Sequence, residues 1–181
     1  MKKINFLYLL FSLFILAACG DSEDVDPDTP ITVSLADLSR GEGMAIVSGD
    51  ESVTIDAGIV GANINKSVNG KSYFMNRVTI GDTGVGEPKT VLYFYIPTSE
   101  GRTIPADGTY SVTTGAASLD QTYVAVDVFA NDSYNSLDTT TGSVVISNAS
   151  TANNSFDATF TVGNLRSFDD NVVEVSGAFR Y

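Results

Sequence analysis

The chain of 181 residues contains no histidine and no tryptophan, a single cysteine, and only ten lysines and arginines against 22 aspartates and glutamates. Each shortage removes a class of function. Without histidine the usual neutral-pH general base is missing, as is the commonest zinc ligand, and a Ser-His-Asp arrangement cannot be built. One cysteine excludes intrachain disulfides, thiolate zinc clusters and iron–sulfur sites. A net charge of −12 opposes binding to a phosphate backbone, which needs a basic footprint, so nucleic acid is not an expected partner. No segment after the first twenty residues is apolar enough to span a bilayer.

What is present begins at the N-terminus. Met1-Lys2-Lys3 leads into an apolar run from Ile4 to Ala18, about fifteen residues where a membrane span needs roughly twenty. A charged start, a short apolar stretch and small residues at its end describe a secretory signal peptide over residues 1–18. The run closes on Leu16-Ala17-Ala18-Cys19, which resembles the lipobox of bacterial lipoproteins. That resemblance implies a diacylglyceryl thioether on Cys19, cleavage before it and acylation of the new amine. Two or three acyl chains would anchor the protein durably to a membrane, since each buried methylene contributes about 0.8 kcal/mol. No other cofactor is expected.

Residues 19–30 hold the lipidated cysteine and a spacer, Gly20 to Pro30, with five carboxylates and two prolines. This composition cannot bury a core and should stay extended. An acidic cluster directly after the lipidated cysteine is similar to the export signal that sends Bacteroidota lipoproteins to the cell surface. The expected location is therefore the outer membrane, surface-exposed, with a periplasm-facing orientation as the alternative. The spacer takes five of the 22 acids and the signal two of the ten bases, so the remaining domain carries 17 acids and eight bases.

Residues 31–181 are long enough for one domain with its own core. Their pattern is strand-like nearly throughout. Apolar and polar residues alternate at period two in Ile31–Leu35, Val53–Ala57, Val124–Phe129, Phe156–Val162 and Val173–Tyr181. Turn signals separate these runs, among them Ser48-Gly49-Asp50, Asn69-Gly70, Asp107-Gly108 and the stretch from Ser167 to Asn171. No helix is convincing. The expectation is an all-β, antiparallel β-sandwich of about nine or ten strands, with a closed lipocalin-like barrel as the alternative. Gly108-Thr109-Tyr110-Ser111-Val112, Gly142 to Ile146, Phe156 to Phe160 and the closing Val175 to Phe179 follow an order that resembles small all-β lipoproteins of the Bacteroidota carrying a domain of unknown function. The resemblance covers mainly Thr90 to Tyr181 and carries no catalytic residues.

Candidate chemistry is sparse. Asp127, Asp157 and Glu174 fall on strands, each on the expected outward, solvated face, so paired-carboxylate catalysis has little support. Asp132, Asp169 and Asp170 offer hard oxygen ligands in loops that calcium could use, although Asx residues are also ordinary turn formers. The segment Thr90 to Pro97 is apolar on both faces: Leu92, Phe94 and Ile96 point one way and Val91, Tyr93 and Tyr95 the other. Tyr123 would extend the tyrosine face if the strands near Phe94 and Val126 pair. Such a row could stack against a sugar ring or a peptide, because tyrosine joins a flat apolar face to a polar tip. The competing reading is a central strand buried on both sides. The sequence therefore points to an anchored, non-enzymatic binding or structural module with a glycan or protein ligand, and secondly to an apolar-ligand carrier of barrel type.

Overall fold

The computed structural model describes residues 33–68, 71–81, 91–98, 103–112, 123–129, 133–135 and 139–181, with the side chains of 66–68, 71 and 123–129 outside that description. The strands are β1 (Glu42–Gly49), β2 (Val53–Val68), β3 (Lys71–Gly81), β4 (Val91–Pro97) and β5 (Gly108–Val112). They continue with β6 (Tyr123–Phe129), β7 (Ser133–Asn135), β8 (Thr141–Ser150), β9 (Ser155–Arg166) and β10 (Val172–Arg180). All belong to one sheet in the order β10-β1-β2-β3-β4-β6-β5-β8-β9-β7. Among the described residues every pairing is antiparallel except the short β5–β6 contact, where Ser111 and Val112 run parallel to Tyr123 and Val124.

The all-β, antiparallel expectation of nine or ten strands is met. The sheet curls on itself because β10 pairs with β1 on one side and with β9 on the other. The strands form one continuous curled sheet, in which the β5–β6 step joins β8 to β4.

One expected strand is not found among the described residues. In the Ile31–Leu35 run, Val33 and Ser34 are not in a ladder, and Leu35–Asp37 forms a single 3-10 turn. Ser34 explains the change: its hydroxyl accepts from the Ala36 amide at 3.2 Å, offering the backbone a local partner in place of a neighbouring strand. The Asn69-Gly70 turn lies outside the described residues, but Val68 and Lys71 on either side of it are register partners.

Period-two alternation sends one set of side chains inward from every long strand. Phe94 from β4 meets Phe160 of β9 and Phe179 of β10 with ring centroids 4.6 and 5.3 Å apart. Phe156 adds an edge-on contact with Phe179 at 5.8 Å. Since β4 and β9/β10 are far apart in the strand order, these rings meet across the curl and fill it. Each fully buried phenylalanine contributes about 2–3 kcal/mol.

Curling this tightly requires room at Gly177, which faces Ala45 on β1 and Phe160 on β9. A methyl group there would run into the Met44 carbonyl oxygen and lie 2.7 Å from the Phe160 ring. Gly177→Ala is expected to destabilise the fold by about 3 kcal/mol, in the range of overpacked cores, read as a lowered midpoint in urea. A midpoint within error of the parent would contradict this packing.

Candidate functional site

The outer face of β2, β3 and β4 carries the aromatic feature. Register places Ile64 opposite Met75 and Ala62 opposite Arg77, and then Arg77 opposite Tyr95 and Thr79 opposite Tyr93. Alternation therefore gathers Tyr73, Met75 and Arg77 from β3 beside Tyr93 and Tyr95 from β4. As expected from the sequence, Leu92, Phe94 and Ile96 point into the core while the tyrosines point out.

Tyr93 and Tyr95 are half-buried, forming neither a bare solvent row nor a fully covered layer. Their rings lie 6.5 Å apart and 25° from parallel. The Arg77 guanidinium carbon sits 5.7 Å from the Tyr93 ring centre, within cation–π range. Met75 is only 1% exposed although it points away from the core, because Ile64, Tyr73 and Tyr95 pack around it. This small outer cluster holds the tyrosine stems while leaving part of each ring reachable. Val60, 55% exposed, extends the apolar surface along β2. The Arg77 Nε is buried without a hydrogen-bond partner, a donor that stacking alone does not satisfy.

The pairing on which Tyr123 depended is present: β4 and β6 are neighbours, with Phe94 opposite Val126 and Tyr95 opposite Ala125. Tyr123 itself opens β6, and its side chain lies outside the described residues.

Tyr73, Met75 and Arg77 were not singled out from the sequence. Their signal was the alternation of Tyr73-Phe74-Met75-Asn76-Arg77-Val78, in which the odd positions share a face. That face could be joined to Tyr93 and Tyr95 only through the β3–β4 register.

The acidic candidates fall out differently. Glu174 is exposed, as expected. Asp157 is not: it lies on the outer side of β9 but is 2% exposed. Arg40 and Arg180 reach its Oδ1 at 3.3 and 3.4 Å, and the Asn148 amide donates to Oδ2 at 3.0 Å. Asn148 can do so because it occupies an irregular step in β8 with φ +55°, which re-aims its side chain. Arg40 also donates to the carbonyls of Phe156 and Tyr181, and Arg180 to that of Leu38. The correction to a solvated Asp157 thus has a clear cause: two long cations lie over it and tie residues 38–40 to β9 and β10.

Asp169 and Asp170 sit exposed in the β9–β10 turn, where Ser167 N donates to the Asn171 carbonyl at 3.0 Å and Asp170 has φ +63°. Asp170 lies 3.9 Å from Arg166. Asp132 and the side chain of Asp127 lie outside the described residues. Among the described residues no three acidic or thiol side chains cluster as a metal site would require, and no helix is long and apolar enough to cross a membrane.

No family model, curated protein or solved structure matches the chain. The arrangement of residues is therefore the ground for any functional reading.

Asp157→Asn should cost about 1–3 kcal/mol, because it removes the charge that two arginines converge on while both arginines keep some solvent. Urea denaturation of this variant, beside an exposed control such as Glu174→Gln, measures it. Equal stability of the two variants would show that the cluster is not a clamp.

Proposed function

We propose that the protein is a lipid-anchored, non-enzymatic binding module of the bacterial outer membrane that takes a glycan or peptide on its tyrosine face. The observation that carries this reading is the stacked Tyr93–Tyr95 pair with Arg77 over one ring. The pair offers partly exposed π-faces, hydroxyl tips and guanidinium donors on one side of a rigid sheet. A sugar ring or a peptide side chain that lies on such a face loses water from both surfaces and finds hydrogen-bond partners at its rim.

Two further features support the reading. The Leu16-Ala17-Ala18-Cys19 motif and the acidic spacer after it supply an anchor and a tether, and the acidity directly after Cys19 favours a surface-facing rather than a periplasm-facing orientation. The lack of histidine and the capture of Asp157 by two arginines leave little for acid–base work. The carrier alternative is less well supported, because a barrel that carries a ligand encloses a cavity. Here Phe94, Phe160 and Phe179 meet across the interior.

Glycan arrays and peptide libraries probed with the full chain test the ligand class. A Tyr93→Ala/Tyr95→Ala double variant should lose about tenfold or more in affinity for any hit, as truncated aromatic anchors do. Unchanged affinity would move the site elsewhere, and lipid co-purifying in native mass spectrometry would favour the carrier. Anchoring has a separate test: Cys19→Ala should abolish labelling by a fatty-acid probe in the producing bacterium, and surviving label would refute the anchor.

A further inference from the structure

The inner face of the β2–β3 hairpin changes character beyond the core. Gly61 opposite Val78 is the last apolar inner pair; Asn63 opposite Asn76 and Asn65 opposite Phe74 follow. β4 ends alongside them, where the Thr98 amide donates to the Phe74 carbonyl at 2.9 Å. These residues line an open cleft of about 270 Å³, completed by Ile64 and Met75. It lies at the rim of the curled sheet, a common place for ligand sites in barrel-like folds.

The lining is specific in what it offers. Among the described residues it contains no charged side chain. It offers two amides and a hydroxyl, so a purely apolar ligand would leave donors and acceptors unpaired. Phe74 is 42% exposed and presents a ring. The Asn63 amide is also oriented: fully buried Asn76 donates to its Oδ1 at 3.3 Å while donating to the Thr103 carbonyl at 3.1 Å. With its oxygen engaged inward, Asn63 has its NH₂ group left to donate. Asn65 stands opposite Phe74, so a ring lying on Phe74 has an amide within the same cross-strand pair. Asn76 itself does not line the cleft; fully buried, it stands behind Asn63 and fixes that amide from below.

From these observations we infer that the cleft is a binding site for a single neutral, polyhydroxylated ring, a pyranose sugar residue, stacked on Phe74 and hydrogen-bonded by Asn63, Asn65 and Thr98. The volume fits one ring-sized group and not an oligomer buried along its length. The site centres on Asn63, Asn65 and Phe74, which face away from Arg77, and it meets the outer cluster only at Ile64 and Met75, so it does not rest on the tyrosine-face reading.

The test is an amide chemical-shift titration of the full chain in detergent with glucose, galactose and mannose, each taken to tens of millimolar. At least one sugar should shift the amides of Asn63, Asn65, Phe74 and Thr98 together. Phe74→Leu, which keeps apolar bulk but removes the ring, should weaken that response about tenfold or more. Asn65→Ala, at an exposed position, serves as a second variant if Phe74→Leu perturbs the fold. No shifts with any of the three sugars, shifts confined to Tyr93 and Tyr95, or a response unaltered in both variants would each overturn the assignment.

Discussion

The structure depends on β10 being hydrogen-bonded along both edges. Paired to β1 through Gly43↔Phe179 to Gly49↔Val173 and to β9 from Val172↔Arg166 to Arg180↔Asp157, it joins the first and last thirds of the domain into one curved surface. An edge strand in that place would leave a row of open donors and acceptors and a flatter sheet. Closing it brings Phe179 against Phe94, whose strand lies on the other side of the curl. The small size of Gly177 permits the approach, and the Asp157–Arg40–Arg180 cluster fastens the same seam from outside.

Once the interior is filled in this way, the same three strands present two different chemistries. On β2, β3 and β4, alternation sends Tyr93, Tyr95 and Arg77 outward, with Met75 as their support, while Phe74 and Asn76 point inward. Where the strands back the phenylalanine core, the inward set is apolar. Where the β2–β3 hairpin runs past that core, the inward set becomes Asn63, Asn65 and Phe74 and opens to solvent as a cleft. The length of β2, 16 residues, is what carries the hairpin past the core and creates that second surface.

Much of the architecture was legible in the chain because half-buried strands write their two faces into the sequence. The Phe156–Val162 alternation became the inner face of β9, and Leu92, Phe94 and Ile96 went inward as the pattern required. The Ile31–Leu35 run shows the limit of that rule: a period-two pattern says nothing about whether a neighbouring strand exists, and Ser34 took the backbone into a turn. Asp157 shows another. Its outward position was correct, but the burial comes from Arg40, 117 positions away in the chain, which no local pattern can announce. The outer cluster was hidden for the same reason: Tyr93 and Tyr95 stand out in the sequence, whereas Arg77 joins them only through strand register. The cleft needed the pairing of Asn63 with Asn76, both unremarked as single residues.

Native-state hydrogen exchange resolved by residue tests the central claim, that a seam at β10 holds a filled curl from which a looser hairpin projects. The amides of β1, β9 and β10 should exchange last, through global unfolding, while those of Asn63 to Asn65 and Phe74 to Asn76 should open locally at lower free energy. If β10 exchanged as early as the hairpin, the seam would not be what holds the sheet, and the account would fail at its foundation.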